Sequence, residues 1–204
     1  MASMSPFLEQ TGPGTDVRRR LLEAAALLLD EEGPGALTAR RLASTAETST
    51  MAVYTHFGGM LGLVRAIVVE GFKRLADHVT KPPRTDDPVT DLVEMALAYR
   101  ANAVENPHLY SVMFGATSLG GYRLAPEERA GGLYTFVVLS EAVARAMEMG
   151  GLRRGNVELV AQQLWTAMHG YVMLELAGLH LGSGDPVEEV FRPLMTTLLA
   201  GLSP

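Results

Sequence analysis

Two short apolar-periodic segments, Leu37 to Ala46 and Thr48 to Phe57, follow one another across a gap too small for anything but a tight turn. Two helices joined in that way form a helix-turn-helix, the unit that sets its second helix in the DNA major groove. The second segment carries Thr50, Met51, Ala52 and Tyr54 near its start, followed by His56. Such a row can meet base edges and phosphates but cannot fill a core by itself. The segment therefore points to a DNA-binding protein.

The net charge of −6 argues against that reading until it is divided along the chain. Residues 1–81 hold nine basic and nine acidic side chains, whereas residues 82–204 hold eight and fourteen, so the whole deficit lies in the later part. Arg18-Arg19-Arg20 and Arg40-Arg41 make the early part locally basic. A small reading head on an acidic body fits this distribution, because only the head meets the phosphate field. Apolar content of 48% with 20% charged residues is globular rather than disordered. No apolar run approaches the roughly 18 residues of a membrane span, and Met1 to Gly14 lacks the pattern of a secretory signal. With no cysteine in the chain, disulfides, thiol nucleophiles and thiolate zinc sites are excluded, and a cytoplasmic location is expected.

The periodicity reads as all-α, with about nine helices, because strand-like alternation is missing and Pro and Gly fall at joints. A tail over residues 1–14 is expected to be disordered. A three-helix head follows over 15–59, and a larger helical ligand-binding and dimerisation domain over 60–204. Helix one is expected from Asp16 to Glu32 with Thr15 as its cap, and its apolar face is Val17, Leu21, Ala24/Ala25 and Leu28. Thr38 can cap helix two and Ser49 helix three. A long helix should run from Met60 to Val79, then others from Val89 to Glu105 and after Asn106-Pro107. Thr117 to Ala125 reads as a loop. The last three helices are expected over Pro126–Met149, from an Asn156 cap to Leu179, and over Val187–Leu202.

Gly33, Thr38, Leu42-Ala43, Ala46, Ser49 and Tyr54-Thr55-His56-Phe57 stand in an order and spacing that resembles the DNA-binding domain of the tetracycline-repressor (TetR) family of bacterial regulators. The resemblance covers about 45 residues. Glu47-Thr48 replaces the family's usual Gly-Val turn, placing a side chain where left-handed backbone geometry is often needed. Met60 stands where a lysine commonly touches a phosphate, which leaves Arg65 or the amides at that helix N-terminus to supply the contact. Further on, Trp165-Thr166-Ala167-Met168-His169-Gly170 resembles the motif of the subfamily with a Trp-His-Gly C-terminal domain, as does the stretch Pro107 to Phe114.

The DNA-facing set read from these features is Thr38, Arg40, Arg41, Ser49, Thr50, Met51, Ala52, Tyr54, Thr55 and His56. Arg40 and Arg41 diverge by about 100° on a helix, so at most one faces a groove. Val53 and Phe57 read as core, and His56 as a phosphate contact or a pin for the helix end. In the later part, Met95, Met113, Phe114, Tyr134, Trp165, Met168 and His169 make an adaptable lining suited to a small apolar effector. The five histidines show no metal-ligand spacing, and no cofactor motif or nucleophile–base constellation is present. The chain thus reads as a ligand-released homodimeric repressor, not an enzyme, on a palindromic double-stranded operator. Residues 156–179 and 187–202 supply the subunit interface, which the resemblance implies is a four-helix bundle. Two alternatives stay open at this point. One is an activator of the same build; the other is a small-molecule binding protein or enzyme whose helix-turn-helix is only packing.

Overall fold

In a computed structural model, residues 13–114, 131–179 and 184–204 are described. Among them are nine α-helices and no strand: α1 (Pro13–Glu32), α2 (Ala39–Thr45), α3 (Thr50–Phe57), α4 (Met60–Val79), α5 (Pro88–Glu105), α6 (Pro107–Met113), α7 (Gly131–Glu148), α8 (Val157–Leu176) and α9 (Arg192–Ala200). The described residues fall into two compact units, 13–70 with 108–114, and 71–107 with 131–179 and 184–204.

The helix ends follow from local chemistry, and several differ from the sequence expectation. α1 is helical from Pro13, the first described residue, so Pro13 and Gly14 belong to the helix rather than to the tail. Thr15 therefore lies within the helix and not before it. Thr38 does cap α2, its hydroxyl accepting the Arg41 N–H at 3.3 Å. Ser49 occupies the N-cap of α3, yet its side chain makes no capping bond. Its carbonyl accepts the Ala52 N–H at 3.0 Å instead, and the helix begins at Thr50, not Thr48. Asn156 caps α8 through the Leu159 N–H at 3.0 Å. That helix stops at Leu176 rather than Leu179, because Gly178 turns left-handed (φ +70°) and the Leu179 N–H closes onto the Leu174 carbonyl.

The expected single helix over Val187–Leu202 is divided. Val187–Phe191 forms a wider π-turn before α9. Pro193 has no N–H to donate, and its ring crowds the preceding turn, so the backbone widens there. The helix expected over Pro126–Met149 is seen from Gly131 to Glu148. The loop expected over Thr117–Ala125 and the start of that helix lie outside the described residues.

In the first unit, Leu21, Ala25, Leu28 and Leu29 of α1 meet Leu42 and Ala43 of α2 and Val53 of α3, all 5% exposed or less. Each large side chain taken from water there contributes about 1.5–3 kcal/mol. The second unit packs α5, α7, α8 and α9 around Leu92, Ala96, Val143, Leu164, Val172, Met195 and Leu199. Its polar anchor is Asp91, whose carboxylate accepts the Thr85 N–H (2.9 Å), the Thr85 hydroxyl (2.7 Å) and Arg145 Nη1 (2.7 Å). No single described helix is long and apolar enough to cross a membrane.

Burial by itself would raise the Asp91 carboxyl, but the Thr85 and Arg145 hydrogen bonds outweigh it and hold the group below the usual carboxylate range. A depressed carboxyl gives stability that is complete above the unfolded pKa of about 3.9 and is lost as pH falls through the folded one. Asp91→Asn should therefore cost about 1–3 kcal/mol near neutrality. In thermal unfolding the gap between variant and wild type should close as pH drops below about 4.

Candidate nucleic-acid interface

A helix of eight residues has little stability alone and takes its position from what it packs against. Val53 is the buried side chain of α3, fully covered by α1 and α2. With that one face fixed, the rest of the helix is turned outward. Met51 is 67% and Tyr54 57% exposed, Thr50 and Thr55 are exposed, and Ala52 and His56 are half-buried. Phe57, read as core, is only half-buried, and the Arg18 guanidinium lies 5.0 Å above its ring. This cation–π contact ties the last turn of α3 to α1. Gly58 then ends the helix in left-handed geometry, its N–H on the Tyr54 carbonyl at 2.9 Å. A Cβ at Gly62 would stand 1.7 Å from the Phe57 carbonyl oxygen, so only glycine lets α4 start this close to α3.

Several of the expected DNA-facing groups already have partners. The Thr38 hydroxyl is the α2 cap, the Thr55 hydroxyl donates to the Met51 carbonyl at 3.1 Å, and Arg41 is paired with Glu32. Arg40 is exposed and forms no hydrogen bond or ion pair with a described residue, so the structure separates the two adjacent arginines. The hydroxyls of Ser49 and Tyr54 are likewise uncommitted. Arg19 is held on its own helix by Asp16 and Glu23, and Arg18 by Phe57, which leaves little of that cluster as a free basic arm. Glu47 has φ +48°, the one non-glycine residue in the left-handed region among those described. The turn keeps the geometry a glycine would take, and the side chain at that position is strained.

The expected effector-lining residues divide between the units. Met113 and Phe114 belong to the first, where Met113 is 1% exposed and the Phe114 ring lies 4.6 Å from Tyr110. Met95, Tyr134, Trp165, Met168 and His169 belong to the second. There Trp165 Nε1 donates to the Tyr99 hydroxyl at 3.3 Å, and that hydroxyl stands 3.3 Å from His169 Nδ1. Burial lowers the His169 pKa below the usual imidazole range, favouring the neutral ring, whose Nδ1 can accept a hydrogen bond from the Tyr99 hydroxyl. Met168 is 3% exposed and Tyr134 64% exposed, so one is core and the other surface. Tyr99 was missed in the sequence reading, although Leu92, Ala96, Tyr99 and Ala103 recur at helical spacing on one buried face. The ion pair of Arg100 with Glu175, half-buried on both sides, was missed as well. Among the described residues no group of His, Asp and Glu is placed to hold a metal ion.

The fold and its exposed second helix define a helix-turn-helix DNA-binding protein. Residues 21–67 match the family of bacterial regulatory proteins, tetR family, and residues 92–198 match the tetracyclin repressor-like C-terminal domain. An HTH-type transcriptional regulator of Mycobacterium tuberculosis is 30% identical over 190 residues, covering 91% of this chain and 81% of that one. A Rhodococcus sp. RHA1 protein of unknown function has the same fold, with a TM-score of 0.78, 24% identity, and coverage of 98% of this chain and 100% of the other. SmeT, solved as a triclosan complex, superposes with a TM-score of 0.70 at 20% identity over 92% of each chain. This chain belongs to the TetR family of DNA-binding transcriptional regulators. The C-terminal match spans Trp165–Gly170, and its description does not name a Trp-His-Gly subfamily.

Glycine at position 47 would relieve the left-handed strain while giving back part of the gain as unfolded-chain entropy. Glu47→Gly should raise the unfolding free energy by about 1 kcal/mol, read as a higher denaturation midpoint at unchanged slope.

Proposed function

We propose that this chain is a homodimeric repressor that leaves a palindromic operator when a small apolar ligand binds. The outward row of α3 carries the reading. Thr50, Met51 and Tyr54 are exposed on a helix whose opposite face is locked by Val53. Methyl groups of Thr50, Met51 and Ala52 offer contacts to thymine methyls, and the hydroxyls of Ser49 and Tyr54, unpartnered among the described residues, offer donors to phosphate or a base edge. Arg40 supplies a phosphate contact, Thr38, Thr55 and His56 lie at the margin of the surface, and Arg41 is held by its ion pair with Glu32. None of the base-facing side chains has the two-pronged donors of Arg or Gln. Readout therefore draws much of its selectivity from apolar contacts and DNA shape.

Dimerisation is supported by two exposed stripes at helical spacing. One is Leu159, Gln163, Thr166, Gly170 and Leu174 on α8; the other is Val190, Pro193, Thr197 and Ala200 on the π-turn and α9. TetR-family regulators dimerise and bind operator DNA, and small residues at the middle of each stripe favour close helix packing about a two-fold axis. The triclosan complex of a structural neighbour supports a ligand site in the body. Its lining in the second unit would draw on Tyr134, Trp165, Met168 and His169 with Tyr99. A ligand that favours the arrangement with wrongly spaced heads weakens operator binding by the factor operator weakens it. A coupling of about 1–3 kcal/mol corresponds to roughly 5- to 150-fold.

The double variant Thr50→Ala/Tyr54→Ala should abolish operator binding while leaving helicity and the sedimentation of the dimer unchanged. Full retention of binding, or a monomer at micromolar concentration, would overturn the proposal. The operator itself is found by mapping protected DNA around the chain's own gene. Arg40→Ala should weaken binding evenly across sequences and lower the salt slope by about 1. Arg41→Ala, which removes a side chain already paired with Glu32, should change the slope by less.

A further inference from the structure

In the second unit a cleft of about 130 Å³ lies where the end of α4, the linker after it, the start of α5 and the middle of α7 meet. Val79, Pro82, Pro88, Met95, Val138 and Ala142 give it an apolar lining. Two of these are prolines with fixed φ, so the wall is preformed and does not have to order on binding. One side is Asp91 and Arg145, and their polar atoms are satisfied within the fold. Asp91 takes three hydrogen bonds from Thr85 and Arg145, and Arg145 Nη2 donates to the Thr85 carbonyl. Of the nearby carboxylates, Asp87 is turned to the amides of Val89 and Thr90, both at 3.1 Å. The remaining charged lining residue is Arg84, exposed and without a hydrogen bond or ion pair to any described residue. An apolar space of this size with one uncommitted guanidinium at its edge has a definite ligand chemistry. A cavity of about 150 Å³ takes one benzene ring, and a planar guanidinium fork matches a carboxylate with two parallel hydrogen bonds.

We propose that this cleft binds a small monocarboxylate with an apolar body of single-ring size. The ring lies on Met95, Val138 and Ala142, and the carboxylate meets Arg84. The Tyr99–Trp165–His169 group takes no part in it. The proposal is independent of operator release, and its test contains no DNA.

The probe is benzoate, titrated against the full chain by calorimetry and by the methyl spectrum of ¹³C-methionine-labelled protein. Benzoate should move the Met95 methyl resonance in a saturable way. Arg84→Gln, a change at an exposed side chain, should weaken binding about tenfold, the worth of a charge-assisted hydrogen bond. Benzamide, neutral and of the same shape, should bind wild type about tenfold more weakly than benzoate and should not distinguish Arg84→Gln from wild type. Ala142→Phe should fill the cleft and remove binding; should that variant fail to fold, Arg84→Gln decides the matter. A Met95 methyl unmoved at millimolar benzoate, or an affinity that Arg84→Gln leaves unchanged, overturns the proposal.

Discussion

The contact of Val53 with α1 and α2 is the constraint on which the reading head depends. α3 is eight residues long and has no side-chain cap at its start. Isolated helices shorter than about 12–15 residues are marginal in water, so α3 is held by packing and not by its own propensity. Its one fully covered side chain fixes the rotation of the helix about its axis. That rotation in turn dictates that Thr50, Met51 and Tyr54 stand outward. The Arg18–Phe57 stack and the glycines at 58 and 62 fix the other end, where the chain turns at once into α4. The outward row of α3 is therefore a consequence of burial on the opposite side.

The second unit uses polar groups in a different way. Arg100 with Glu175, and Asp91 with Thr85 and Arg145, place charges at half-buried positions between elements far apart in sequence. Such pairs add little net stability compared with apolar packing, because desolvation offsets much of the attraction. They do penalise alternatives: a helix slipped by one turn would leave a charge covered and unpaired. The Trp165–Tyr99–His169 chain of hydrogen bonds acts likewise on α5 and α8. Met168 and Met195, by contrast, are covered almost completely and supply adaptable filling.

Much of the fold was legible because apolar periodicity and capping residues are local. α4 was read to the residue, and the Thr38 and Asn156 caps were read with their roles. The errors came where a residue's role depends on what lies elsewhere. Gly178 shortened α8 by backbone geometry that a window of periodicity does not weigh. Pro193 looked tolerable near the start of a helix, yet it sits well inside a longer helical run and forces a π-turn. For the interface, residue types indicated which side chains could meet DNA. Which of them were already engaged depended on partners as distant as Glu32 for Arg41. Tyr99 was the reverse case, since its inward register was readable and its hydroxyl's need for a partner was the missed signal.

The distribution of charge constrains how such a head can bind tightly. Its basic residues are partly consumed by internal contacts, Arg19 by Asp16 and Glu23 and Arg41 by Glu32, and Glu47 adds a carboxylate beside the reading helix. In the proposed complex few cations then remain for phosphates, which would keep the sequence-independent part of the affinity small. A weak electrostatic background lowers binding to the mass of non-operator DNA as well, and the quantity that matters for regulation is the ratio between the two. Two such heads on one body multiply the specific term, because the second engages at the effective concentration set by the first. The same multiplication does little on DNA lacking the second half-site. In the proposed dimer, a head stripped of surplus positive charge thus gains selectivity from pairing, and the exposed stripes on α8 and α9 become as important to operator choice as the side chains of α3.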